Sequence, residues 1–304
     1  MTGVSGVVVA DMKTPFGDVQ VREPEGLQSV GLVTRIATAV AYAVVVLASI
    51  WFGRYSTGIV FGAMAAFAAA EFYAMERRES RLPNELFGIA AAGVMPIAAA
   101  LWRMPGLIAI VTALIAASLA WHVVFLRVRT ADTAITVFGA LYTGFLLAYL
   151  VLIIDVYSAG RLLAIVVCLS VWANDSLAYL AGSLFGRHKM APRISPKKSW
   201  EGFAAGLFGT VAVWAIAQTV VPRFFPLVNA AGLTLPWALA TGVAIGLAVI
   251  VGDLAESRMK REAGVKDSGT ALPGHGGFLD RLDSLILVCL VAYWMLWWAG
   301  VTLK

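Results

Sequence analysis

Nine stretches of this chain are apolar for long enough to cross a bilayer as helices, which takes roughly 20 residues each. They run at about 34–53, 57–75, 86–102, 105–126, 132–155, 160–183, 200–221, 235–256 and 277–299. The third is the weakest, because Pro96 interrupts it and Arg103 follows closely. Charge is correspondingly scarce, at 13% of residues, where a soluble domain carries about 25%. The expected fold is therefore all-α, a polytopic integral membrane protein with about nine transmembrane helices. No internal repeat or separate soluble domain is evident. A single transmembrane domain would occupy 29–304, behind a flexible polar tail at 1–28. The short run Gly6 to Ala10 in that tail is too brief for a signal-peptide core.

With nine spans, the N-terminus and the connections after spans 2, 4, 6 and 8 share one side. That side collects 18 of the 23 Lys and Arg residues. The other side holds only Arg54, Arg103, Arg161, Arg223 and Lys304. Basic residues mark the cytoplasmic face, so the loops after spans 6 and 8 both face the cytoplasm. The net charge of +5 is modest, and no nucleic-acid partner is expected. Cys168 and Cys289 each sit in an apolar run and read as small buried hydrophobes.

Those two loops hold the chemistry. In the first, Asp175 lies inside span 6, with Tyr179, Gly182 and Gly186 on the same helical face. Two glycines beside an acid allow close helix packing. Ser195 and Pro196 resemble a helix start. Lys197, Lys198 and Ser199 then fall where free N–H groups favour anions. The second loop and its flanks, Ser257 to Asp283, pack nine charged residues into 27 positions. Ahead of it, Asp253, Glu256 and Lys260 share one face of span 8, and Asp280 and Asp283 share a face of span 9. Pro273 to Gly277 form a glycine-rich loop that lets backbone approach a ligand closely.

Acids inside membrane spans are costly and mark function by default. Asp175, Asp253 and Asp280 are three such acids, and oxygen donors of this kind suit Mg²⁺ with substrate phosphates. A plainer reading pairs each acid with a nearby base, for instance Asp253 with Lys260. Lys197, Lys198, Lys260, Arg261 and Lys266 lie beside the acids and glycines, where polyphosphate binding needs them, although loop cations also serve as topology signals. His275 reads equally as a base, a phosphate donor or an ordinary loop residue. Glu71, inside span 2, is functional or paired, with no partner named by its neighbours.

The stretch SRMKREAGVKDSGTALPGHGGFLDRLD resembles the C-terminal signature of the phosphatidate cytidylyltransferases, or CDP-diacylglycerol synthases. Ser257, Lys260-Arg261, Lys266-Asp267, His275-Gly276-Gly277, Asp280-Arg281 and Asp283 stand at that family's spacing. NDSLAYLAGSLFGRHK and SPKKSWEG are similar to its preceding region. The resemblance implies that CTP and phosphatidate react to CDP-diacylglycerol and pyrophosphate at the cytoplasmic face of the inner cell membrane. It implies catalytic roles for Asp253, Asp280, Lys260, Lys266 and Asp267. Asp253 and Asp280 would hold Mg²⁺, with a monovalent cation such as K⁺ as a second ion. Substrate binding would fall to Asp175, Ser195, Lys197, Lys198, Ser199, Arg261, His275, Gly276, Gly277, Arg281 and Asp283. The lipid bilayer and a second copy of the chain, as a homodimer, are the further partners implied.

Two other functions fit parts of the pattern. A CTP-dependent kinase acting on a polyprenol or another lipid alcohol needs the same cation and basic pocket. A transporter would use intramembrane acids, but their clustering at one side argues against a through-path.

Overall fold

The computed structural model describes residues 9–14, 17–22, 32–156, 159–220, 232–271 and 276–301. Helices dominate: α1 (Leu32–Phe52), α2 (Arg54–Arg78), α3 (Glu85–Val124) and α4 (Thr130–Ala140) come first. A π-helical turn (Leu141–Phe145) joins α4 to α5 (Leu146–Val156). Then follow α6 (Gly160–Phe185), α7 (Trp200–Thr219), α8 (Leu235–Glu262) and α9 (Leu279–Trp298). Two antiparallel hairpins accompany them, β1 (Val9–Thr14) with β2 (Gly17–Arg22), and β3 (Lys189–Ala191) with β4 (Ser195–Ser199). The 1–28 tail therefore carries two strands where none was expected.

Six helices among the described residues are long and apolar enough to cross a membrane, which marks an integral membrane protein. The nine candidate stretches map onto the helices unevenly. Candidates three and four fall within the single 40-residue element α3. Its backbone turns at Arg103, where φ is 57°, a value that residues other than glycine rarely adopt. Beyond this turn the chain folds back, since the rings of Phe87 and Trp121, near opposite ends of α3, lie 5.7 Å apart. Pro96, the expected interruption, is instead buried within the helix. Candidate one contributes the shorter apolar helix Ile36–Phe52, and candidate nine is α9, whose first turns carry Asp280, Arg281 and Asp283.

Small residues set the helix spacing, because apolar helices in lipid associate by close packing. Gly58 and Gly62 of α2 lie against the backbone of Pro96 and Gly93 in α3, where a Cβ would collide. On the glycine face expected on α6, Gly182 meets Gly202 of α7, where a Cβ on Gly202 would collide with the Ala178 carbonyl. Gly242 and Gly246 let α8 close on Val211 and Thr210. The π turn places Gly144 on the backbone of Ala92. Residues Leu147 to Ile154 of α5 are buried without a break, as a helix enclosed on all sides requires. Cys168 and Cys289 are buried and unbonded, as expected. Around this core, α2, α6, α7, α8 and α9 gather their polar ends at one end of the bundle.

One local expectation is corrected. Ser195 to Ser199 form strand β4, not the start of α7, pairing with Lys189 and Ala191 across a shifted register. The helix begins one residue later, with Ser199 as its cap: the Oγ accepts the Gly202 N–H at 3.2 Å. Ser199 satisfies one of the free N–H groups of the first turn.

Candidate active site

Glu71, late in α2, anchors the site. Its carboxylate accepts the N–H groups of Phe278 (3.0 Å) and Leu279 (2.9 Å), where α9 begins. A helix N-terminus presents unpaired N–H groups and a positive dipole end, so the half-buried Glu71 carboxylate is well placed there. Glycine is required around this contact. A Cβ on Gly277 or Gly269 would overlap the Glu71 carboxylate. Of the two, Gly277 belongs to the loop expected to let backbone approach a ligand, and the close approach the structure shows there is that of Glu71. Gly276 adds a positive φ of 80°, which turns the chain into α9.

Asp280 is the second hub. Its Oδ2 accepts the Ser268 N–H (2.9 Å), the Gly277 N–H (2.8 Å) and lies 2.9 Å from Ser268 Oγ. Its Oδ1 accepts Lys260 Nζ at 2.7 Å. Ser268 Oγ is equally 2.9 Å from Glu71 Oε2, so its single proton serves one carboxylate at a time. Lys260 also pairs with Glu256 Oε2 at 2.5 Å, and the Glu256 side chain is wholly buried. This ion pair offsets the burial of the Glu256 carboxyl. The result is one polar chain, Glu71–Ser268–Asp280–Lys260–Glu256, crossing from α2 through the loop and α9 to α8.

Asp253 stands apart from this chain. Its Oδ2 pairs with Lys198 Nζ at 2.5 Å, and its Oδ1 accepts Ser257 Oγ at 3.2 Å. The suggested pairing of Asp253 with Lys260 is thus replaced: Lys260 serves Glu256 and Asp280, and Lys198 arrives from β4. The Lys198 side chain is largely buried in this contact, and an ammonium has three donors for its one ionic partner. Gly252 lets α8 approach the backbone of Asp283 closely. Asp175, Asp253 and Asp283 are near enough to interact electrostatically, with Lys198 and Arg281 facing Asp175.

Two cavities meet at Asp175. The first, about 380 Å³, lies between α1, α6 and α9. Asp175, Asp280, Arg281 and Asp283 form its polar end, and Ala43, Val46, Val171 and Leu285 line its apolar length. The second, about 260 Å³, lies between α6, β4, α7 and α8, with Asp175, Lys197, Lys198, Ser199 and Asp253 on its walls. Asp253 and Asp280 therefore face different cavities, with Asp175 common to both.

The remaining predicted residues distribute around this centre. Arg261 donates through Nη1 to Val265 O at 2.8 Å and closes the turn after α8. Asp267 lies beside Gly276. Lys266 is exposed on the same loop, and Ser195 opens β4; neither lines either of these two cavities. His275 lies outside the described residues. Glu71 and Glu256 complete the network. The signal for Glu71 was an acid inside a span without a named partner, and for Glu256 a place on the polar face of α8.

As arranged, no three acid, His or Cys side chains among the described residues form a group that could hold a metal ion. Asp253 and Asp280 each hold a lysine ammonium, at 2.5 and 2.7 Å. Positive charge is accommodated at both carboxylates, and their donors are the oxygens a hard cation takes. The residues fit a divalent cation best at Asp253, whose single charged partner sits on a hairpin strand. Asp280 already has four donors.

The model of the cytidylyltransferase family matches residues 33–299. A phosphatidate cytidylyltransferase from Bacillus subtilis is 32% identical over 269 residues, covering 86% of this chain and 96% of that protein. Proteins of the same name from Mycobacterium leprae and Pseudomonas aeruginosa are 41% and 42% identical over 169 and 138 residues. Those shorter matches cover 54% and 45% of this chain, and 50% and 48% of the relatives, so the chain spans about half of their length. The family match runs from α1 to the end of α9 and takes in both carboxylate hubs, and the chain belongs to the cytidylyltransferase family.

Proposed function

We propose that this chain transfers the cytidylyl group of CTP to phosphatidate, releasing CDP-diacylglycerol and pyrophosphate. The observation that carries this reading is the pair of cavities meeting at Asp175, one lysine-lined and one with an apolar length and a polar end. A reaction between a water-borne nucleotide and a membrane lipid needs two such compartments with a shared wall. Lys197 and Lys198 would take the triphosphate. Arg281 would take the phosphatidate phosphate, whose acyl chains lie along Val46, Val171 and Leu285.

The chemistry asks little of a base, because the attacking phosphatidate oxygen is already an anion. It forms a new bond to the α-phosphorus of CTP as the bond from that phosphorus to the bridging oxygen breaks. Pyrophosphate leaves with the electron pair, and no proton need move. Catalysis then rests on positioning and charge neutralisation. Lys198 has donors to spare for the triphosphate. Lys260, fixed between Glu256 and Asp280, orients Asp280 and through it the loop beneath the substrates. Asp253 is the proposed Mg²⁺ donor, and Asp280, which faces the other cavity, would have to exchange Lys260 for a second cation such as K⁺. Bound there, the cation supplies neutralisation of phosphate charge.

The same reading includes nine membrane crossings, supported by the fold-back at Arg103. It places the site at the cytoplasmic face of the cell membrane, supported by the skew of basic residues. The homodimer implied by the resemblance belongs to it too, and light scattering of the solubilised protein tests that. The function itself is tested with CTP labelled at the α-phosphorus, phosphatidate and Mg²⁺. Label entering the lipid with stoichiometric pyrophosphate supports it. Transfer of γ-label with release of CDP would instead indicate a kinase.

A further inference from the structure

The far end of the bundle holds a third charged cavity, of about 370 Å³, that cytidylyl transfer does not use. It lies where α1 gives way to α2 and α5 to α6, with Gly53, Arg54, Asp155 and Arg161 on its walls. Arg103, at the turn of α3, reaches the same acid. Asp155 Oδ2 accepts Arg54 Nη1 at 2.8 Å and Arg103 Nε at 2.6 Å. Arg161 adds a third guanidinium, held against Gly53 and without a carboxylate partner among the described residues. Among the described residues Asp155 thus pairs with two of the three guanidinium groups, and the charge of Arg161 is the surplus. The sequence places just five basic residues on this side of the membrane, and three of them converge here.

Position and surroundings indicate what the surplus is for. Arg54 begins α2 and Glu71 lies near its end, so the cavity and the active site are about 25 Å apart along that helix at 1.5 Å per residue. Exposed Phe52 and Tyr55 line the cavity, and Trp51 and Trp102, also exposed, neighbour Phe52 and Arg103 along the chain. Aromatic side chains of this kind gather at the boundary between hydrocarbon and water. Arg54 stacks over the Tyr55 ring at 4.8 Å and donates to its hydroxyl at 2.8 Å, which holds the fork in place. Guanidinium forks match phosphate geometry better than ammonium groups do.

We infer that Arg54, Arg103 and Arg161 form a binding site for the phosphate of an anionic phospholipid headgroup, in the leaflet opposite the active site. The bound phosphate neutralises the surplus charge and ties together the α1–α2 junction, the α3 turn and the α5–α6 junction. A free phosphate has the same chemistry, but the exposed aromatic side chains favour a ligand that arrives within the membrane.

The test uses full-length protein in neutral detergent, titrated with phosphatidylglycerol, phosphatidylcholine or inorganic phosphate while its melting temperature is followed. Wild type is expected to be stabilised by phosphatidylglycerol above phosphatidylcholine. Arg161→Gln, which leaves the Arg54–Asp155–Arg103 cluster intact, is expected to bind phosphatidylglycerol about tenfold or more weakly. Equal response of wild type and variant overturns the site. Inorganic phosphate giving the whole Arg161-dependent response overturns the lipid assignment. Native mass spectrometry counts the retained lipid directly, so a variant that melts early still decides the matter: one lipid fewer on Arg161→Gln supports the site, and an unchanged count overturns it.

Discussion

At the scale of single residues, the account turns on two carboxylates with unlike surroundings. Asp280 is held by four donors from Lys260, Ser268 and Gly277, whereas Asp253 has Lys198 and the Ser257 hydroxyl as its partners. Their variants should therefore fail differently. Asp280→Asn disturbs the loop and α9 together, so it is expected to lower both the melting temperature and the activity. Lys198→Ala should leave the fold nearly untouched and raise the KM for CTP, by about 10- to 100-fold for the loss of a charged phosphate contact. Steady-state kinetics with a thermal melt on each variant separate these outcomes. An unchanged KM in Lys198→Ala would remove the lysine from the nucleotide pocket. Glu71 makes a third prediction. Glu71→Gln turns an amide N–H₂ towards the Phe278 or Leu279 N–H, and should cost about 1.5–3 kcal/mol of stability. Chemical denaturation measures it.

At the scale of elements, the glycine loop is shaped by what it packs on. Gly277→Ala should destabilise the protein by about 1–3 kcal/mol, the usual cost of overpacking, because the new methyl meets Glu71 and Ser268. A variant as stable as wild type would show that the loop does not rest on Glu71. The same element shows what the amino-acid sequence can and cannot convey. Lys260, Asp280 and the glycines are legible because they fall within one short run with helical spacing on either side. Glu71 announces itself as an acid inside a span, but its partners lie 197 to 208 residues away. No periodicity links positions so far apart. Strand β4 was read as a helix start for the converse reason: Ser and Pro do favour a helix terminus, but pairing with Lys189 and Ala191 is a tertiary fact that overrides local preference. The turn of α3 is half legible, since Arg103 falls between two candidate spans and marks the break, while Pro96, which also suggests one, lies within the helix.

At the scale of the whole molecule, apolar helices packed through glycine hold two cavities in contact at one end. Their common wall, Asp175, is the natural place for two substrates to meet. Hydropathy and the skew of basic residues make the membrane character and the clustering of the site readable from the sequence. The division into two compartments is not, because it depends on which faces of α1, α6, α8 and α9 turn inward. The division predicts that blocking one cavity spares binding in the other. Val171→Trp, placed in the first, should weaken phosphatidate binding about tenfold or more while leaving CTP affinity within about twofold, as expected when bulk fills one apolar pocket. Equilibrium titration of each substrate reads this. The central claim, that the chain joins CMP from CTP to phosphatidate, is met most directly by one measurement: lipid extraction after incubating the purified protein with α-labelled CTP, phosphatidate and Mg²⁺. The account predicts label in the lipid phase, matched by pyrophosphate and abolished in Asp253→Asn. Label that stays wholly in the aqueous phase, or lipid labelling undiminished in Asp253→Asn, would contradict it.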